Sequence, residues 1–130
     1  MNHRIVESNG IKMHLAEDGE GPLVVLCHGY PELWYSWRHQ LKALAEAGYH
    51  VAAPDQRGYG QTDRPEAVED YNILQLSGDT IGFVHALGET RAVIVGHDWG
   101  GGGRLSLCTA GFILCVTNCT RPRTLISESI

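Results

Sequence analysis

No histidine follows His97 in this chain of 130 residues, and no acidic residue lies between Trp99 and Ser127. Chemistry that draws an imidazole from the final stretch is therefore excluded. Basic charge is also scarce. Ten Lys and Arg stand against fifteen Asp and Glu, for a net charge of −5. Nucleic acid and anionic membrane surfaces both need a basic face, so neither is expected as a partner. No apolar run approaches the roughly 18 residues of a membrane span. The longest, Gly111 to Val116, is far too short. Met1-Asn2-His3-Arg4 leads into a polar strand and lacks the apolar core of a signal peptide, so a cytoplasmic, reducing location is expected. There is no Cys-x-x-Cys pair. Cys27 stands alone, and Cys108, Cys115 and Cys119 read as free thiols, so no metal is expected. Gly58-x-Gly60 and the run Gly100 to Gly103 complete neither common phosphate-binding motif, so no nucleotide cofactor is expected. Asn118-Cys119-Thr120 fits a glycosylation acceptor, but without a secretion signal it is a chance match.

What remains is ordinary folded-domain composition, with 43% hydrophobic and 19% charged residues. One domain fits the length. A chain of this size can bury about two-thirds of its unfolded surface. Arg4–Glu7 and Ile11–Leu15 alternate around Ser8-Asn9-Gly10, and Asn-Gly predicts a hairpin of two antiparallel strands. Leu23–Cys27 is a continuous apolar run, which suits a strand buried on both faces. Trp37, Leu41, Leu44 and Ala45 fall at helical spacing, with Gly48 placed to end that helix. Val51–Ala53 is a short strand stopped by Pro54, and a polar loop runs from Asp55 to Tyr71. Within that loop, Asp55 and Arg57 read as a local ion pair. Asn72 and Gln75 predict an N-cap and its N3 partner for a helix through Leu87, closed by Gly88. Gly78 and Gly82 weaken that helix, so packing must support it. Ala92–Val95 is the next apolar strand. Alternating strands and helices imply a mostly parallel α/β sheet with a leading antiparallel hairpin. Ligands of such sheets sit at the carboxyl ends of the strands.

Two of those ends carry unusual residues. Gly96-His97-Asp98-Trp99-Gly100 fits G-x-D-x-G, a nucleophile-elbow pattern with aspartate at its centre. The tight strand-to-helix turn strains the central residue and projects it from the sheet edge. The helix N-terminus that follows keeps a carboxylate ionised. Such a carboxylate can attack carbon and form an ester. Asp98 reads alternatively as a plain helix N-cap. Its place directly after Arg91–Val95 favours the elbow. His28-Gly29-Tyr30-Pro31 follows the strand Leu23–Cys27. Backbone N–H groups of Tyr30 and Trp99 would then form an oxyanion hole, with His28, Pro31 and His97 lining the site. Trp34, Tyr35 and Trp37 read as core or pocket wall.

His28-Gly29-Tyr30-Pro31-Glu32-Leu33-Trp34-Tyr35-Ser36-Trp37-Arg38 closely resembles the first signature of epoxide hydrolases of the α/β-hydrolase fold. Pro54-Asp55-Gln56-Arg57-Gly58-Tyr59-Gly60-Gln61-Thr62-Asp63 is similar to a second loop of that family, and Gly96–Gly100 matches its aspartate elbow. The resemblance covers roughly residues 1–100. It implies Asp98 as the nucleophile that opens an epoxide, a small-molecule substrate, and no cofactor. Haloalkane dehalogenases share the aspartate elbow, but they typically resemble His-Gly-Asn-Pro where this chain has Tyr30. In the family a later histidine and acid hydrolyse the ester, and cap-domain tyrosines protonate the opening oxygen. Nothing after Gly100 matches these. The expectation is the N-terminal portion of the fold over 1–100, lacking the cap domain and C-terminal strands. An unrelated, poorly ordered tail follows over 101–130. It is further expected that the chain alone does not turn over substrate, or is a non-enzymatic truncated product.

Overall fold

The computed structural model describes residues 1–102 and 113–116. Among these, six strands form one sheet in the order β1-β2-β4-β3-β5-β6. They are β1 (Asn2–Ser8), β2 (Ile11–Asp18), β3 (Leu23–Cys27), β4 (His50–Pro54), β5 (Val93–Gly96) and β6 (Ile113–Val116). Between them lie α1 (Arg38–Glu46) and α2 (Ile73–Ala86), with a 3-10 turn before each, at Trp34–Trp37 and Val68–Tyr71. Strands β4, β3, β5 and β6 run parallel, and β2 joins β4 antiparallel. The β1–β2 hairpin turns at Asn9 and Gly10, both with positive φ (49° and 78°). That is the backbone twist that selects Asn-Gly between strands.

Alternation along β3 divides the core. Leu23, Val25 and Cys27 pack with Met13, Ile94, Phe83 and Val84 on the α2 face. Val24 and Leu26 pack with Val51, Leu41 and Trp37 on the α1 face. A strand covered by helices on both faces needs apolar residues at every position, and all five residues of β3 are buried.

One expectation is met through these contacts, and two change. The glycines of α2 are where the hairpin docks. A Cβ at Gly82 would stand 2.4 Å from Ser8 Oγ, and one at Gly78 would stand 2.9 Å from Asn9 Nδ2. The propensity cost of glycine is offset by close approach, sealed by Ser8 Oγ donating to the Asp79 carbonyl at 2.7 Å. Arg57 does not pair with Asp55. Its guanidinium reaches α2 and donates twice to Asp79, from Nε at 2.8 Å and from Nη2 at 2.7 Å. A planar fork prefers a bidentate carboxylate, and Asp55 is occupied elsewhere. The sheet also does not end at β5, because β6 pairs with it from Val93↔Ile113 to Gly96↔Val116. Part of the segment expected to be a poorly ordered tail is thus a strand. The order of 103–112 and 117–130, including Cys108, Cys119 and Asn118, lies outside the described residues. Asn72 caps α2 as expected, with its Oδ1 accepting from Gln75 N at 2.9 Å.

Candidate active site

The site follows from one register. Strands β3 and β5 lie side by side and end level, with Cys27 opposite Gly96. The residues after each must therefore meet, and His28–Tyr30 faces His97–Trp99. The turn after β5 is tight enough to hold Asp98 at φ 50°, a left-handed conformation that costs an L-residue roughly 1–2 kcal/mol. The helix that follows, α3, is described over Trp99–Gly102. It starts so close to β3 that a Cβ at Gly100 would lie 2.3 Å from the His28 carbonyl oxygen. Gly29 is pressed from the other side, where a Cβ would lie 2.8 Å from Asp98 Cβ and 3.0 Å from Asp98 Oδ2. These two glycines let the loop and the elbow touch.

In that contact the Tyr30 N–H donates to Asp98 Oδ2 at 3.0 Å. The Trp99 N–H donates to the same carboxylate. The hydrogen bond from Tyr30, then the one from Trp99, hold the Asp98 carboxyl below the usual carboxylate range, with a smaller contribution from His97. Asp98 is exposed. Its ionisation is set by directed donors and not by an ion pair buried in the core. The side chains of Tyr30 and Trp99 are also exposed, at 70% and 44%. They contribute amides to the carboxylate while their rings stand at the surface.

The remaining expected site residues divide. His97 lies beside the elbow, with Nε2 2.8 Å from Glu32 Oε2 and its ring edge-on to Trp37 at 5.4 Å. Pro31 is exposed on the loop. His28 does not line an open surface. It is fully buried, with Nδ1 2.8 Å from the Gly29 carbonyl and Nε2 accepting from Gln56 N at 2.9 Å. The side-chain amide of Gln56 reaches back to the His28 carbonyl. A neutral imidazole with one donor and one acceptor nitrogen is matched there on both. It braces the loop from behind.

Sequence reasoning assigned no role to Glu32, Gln56 or Tyr59. Glu32 bonds His97 and closes the loop through its N–H to the Gly29 carbonyl at 3.1 Å. Tyr59 packs edge-on against His28 at 5.0 Å. Burial pushes its hydroxyl pKa up, and Tyr30 and Asp98 push it further, so it stays protonated beside the carboxylate. The signal for all three lay in the two polar runs after β3 and β4, at strand ends where sites form. Among the described residues no cluster of three or more His, Cys, Asp or Glu is arranged to hold a metal ion. No described helix is long and apolar enough to cross a membrane.

Comparison with known proteins gives the same outline. Residues 22–109 match the family model of the alpha/beta hydrolase fold. The chain is 58% identical over 99 residues to epoxide hydrolase A of Mycobacterium tuberculosis, covering 75% of this chain and 31% of that protein. It is 52% identical over 100 residues to epoxide hydrolase 3 of Siraitia grosvenorii, covering 77% and 32%. The crystal structure of an epoxide hydrolase from Vigna radiata superposes with a TM-score of 0.82 at 48% identity, over 87% of this chain and 39% of that one. The chain thus spans about a third of the length of the relatives it matches.

Proposed function

This chain belongs to the α/β hydrolase fold family, and we propose that it carries the nucleophile half of an epoxide hydrolase site, with Asp98 as the nucleophile. One observation supports this above the others. An exposed, backbone-strained carboxylate accepts from two backbone N–H groups, that of Tyr30 at Oδ2, and is kept ionised by them. With Oδ2 held by the Tyr30 N–H, we assign the attack to Oδ1. It adds to a ring carbon of a small epoxide as the ring C–O bond breaks. The electron pair passes to the epoxide oxygen, which takes a proton from solvent. The product is an ester of Asp98 whose carbonyl oxygen stands where Oδ2 stood, on the Tyr30 amide. When water adds to that carbonyl, negative charge develops on the same oxygen, and the preset Tyr30 N–H stabilises it. Collapse returns the carboxylate and releases a vicinal diol.

Ring opening is the stage these residues serve best. His28 is enclosed with both ring nitrogens bonded, and Nε2 of His97 is bonded to Glu32. Both are tied to the loop that presents the Tyr30 N–H, on the side of the carboxylate that holds Oδ2. General-base help in activating water typically contributes about 10²–10⁴-fold. The 130-residue chain is therefore expected to form one equivalent of ester and not to sustain turnover. We place the protein in the cytoplasm, acting on a small-molecule epoxide without a cofactor. Intact-mass measurement of the purified chain after incubation with styrene oxide tests this. One added equivalent mapped to Asp98 supports the proposal. Alkylation by a haloalkane with halide release, and none by the epoxide, would overturn it in favour of dehalogenation.

A further inference from the structure

Away from the nucleophile, a second chain of polar groups runs from the hairpin to the same loop. Asp55 follows β4 and is 1% exposed. Its Oδ2 lies 2.8 Å from His14 Nδ1 and accepts from Gln61 N at 3.2 Å. Its Oδ1 accepts from Trp34 N at 3.0 Å. His14 of β2 is 3% exposed, and its Nε2 lies 3.1 Å from His3 Nδ1. His3, exposed on β1, stacks on the His14 ring at 5.3 Å and meets the Trp34 ring edge-on at 4.7 Å. One surface imidazole therefore touches both the buried pair and the residue whose amide the pair anchors. Trp34 ends the loop that begins at His28 and presents the Tyr30 N–H.

We propose that His3 is an acid-sensitive clamp on this loop, closed through His14 and Trp34 and released when the two imidazoles carry one proton too many. The inference deepens the proposed reaction and rests on it, since the loop matters there as the source of an oxyanion donor. The proton count carries the argument. His14 Nδ1–H points at the Asp55 carboxylate, leaving a single proton to lie between His14 Nε2 and His3 Nδ1. One added proton makes His14 an imidazolium with two donors, facing Asp55 on one side and an accepting His3 nitrogen on the other. The geometry survives and the charge is balanced. A second added proton sets N–H against N–H and cation against cation, so the contact between the two rings opens. His3 is the exposed partner and is the one that leaves, taking its contact from Trp34. The titratable groups set against the His14 ring are His3 from β1 and Asp55 from the loop after β4. Trp34 brings no charge, and Thr62 brings a hydroxyl that accepts from His14 N at 3.0 Å. Arg4, the next residue on β1, is engaged with Glu17, which also holds His50.

Amide hydrogen exchange on the full chain, followed across mild acid alongside NMR titration of His3 and His14, tests the clamp. Protection of the Trp34 amide is expected to hold through the first proton and to fall on the order of tenfold with the second, with the Tyr30 amide resonance moving at the same pH. His3→Phe keeps both ring contacts without titrating and should retain protection in acid. His3→Ala should show the released level at every pH. The proposal is overturned if the wild-type chain shows no such acid transition. It is equally overturned if His3→Phe loses protection at the wild-type midpoint. These readouts need no chemistry, so a missing Asp98 ester alongside an intact transition would sink the reaction alone.

Discussion

Asp55 and Asp98 follow β4 and β5, the two parallel strands that flank β3 in the sheet, and they stand in opposite environments. Asp55 is enclosed, and its oxygens meet His14, Trp34 N and Gln61 N. Gly60 has no side chain, and a Cβ there would sit 2.1 Å from Asp55 Oδ2. Asp98 is exposed, strained at φ 50° and held by amides of the chain itself. The first arrangement uses a carboxylate to tie two loops to the hairpin. The second spends backbone strain to keep a carboxylate ionised, oriented and reachable. Strand ends position both residues, and what separates the anchor from the proposed nucleophile is which groups satisfy each one and whether substrate can approach.

The sharpest way to break this contrast is at Asp98. Asp98→Ala is expected to abolish ester formation from styrene oxide, read by intact mass. Asp98→Gly should abolish it equally, yet raise stability by about 1 kcal/mol in urea unfolding, because glycine adopts positive φ without the steric cost. A loss of stability at that position would mean that the strain has been misread. Asp55→Ala should do the reverse. It strands His14 and two amides in the interior and should cost about 3–5 kcal/mol of unfolding free energy. The same range is expected for Arg57→Ala, which leaves Asp79 buried without its bidentate partner.

Smaller effects separate propensity from packing in α2. Gly82→Ala would gain about 1 kcal/mol on helix propensity alone. The collision with Ser8 should turn that into a net loss of roughly 1–3 kcal/mol, visible as a lowered urea midpoint. Asn72→Ala removes the cap on Gln75 N and should cost about 1 kcal/mol.

Elements that are periodic or punctuated were legible without coordinates. Asn9-Gly10 specified its hairpin, the unbroken run Leu23–Cys27 its doubly covered strand, and Asn72 its helix start, because each is decided by neighbours in the chain. The elbow was legible as a pattern of glycines around Asp98. Long-range side-chain partners were not. Arg57 lay two residues from Asp55 and chose Asp79, 22 residues on, because chain proximity says nothing about which carboxylate presents two oxygens in a plane. His28 looked like a site residue, since its enclosure depends on Gln56 folding back from another strand end. The clamp of His3 on His14 and Trp34 joins three elements and has no local signature.

The central claim is that the Tyr30 and Trp99 amides make Asp98 a carboxylate ready to attack. It is tested most directly by the pH dependence of single-equivalent alkylation at that residue. A group whose pKa is lowered in the folded chain stays ionised below the usual carboxylate range, so the rate of ester formation should remain level as pH falls through that range. It should decline only at lower pH, where the Asp98 carboxyl takes its proton, with peptide mapping placing the adduct on Asp98 throughout. A rate that falls with an ordinary carboxylate titration, or an adduct on Glu32 in place of Asp98, would contradict the account.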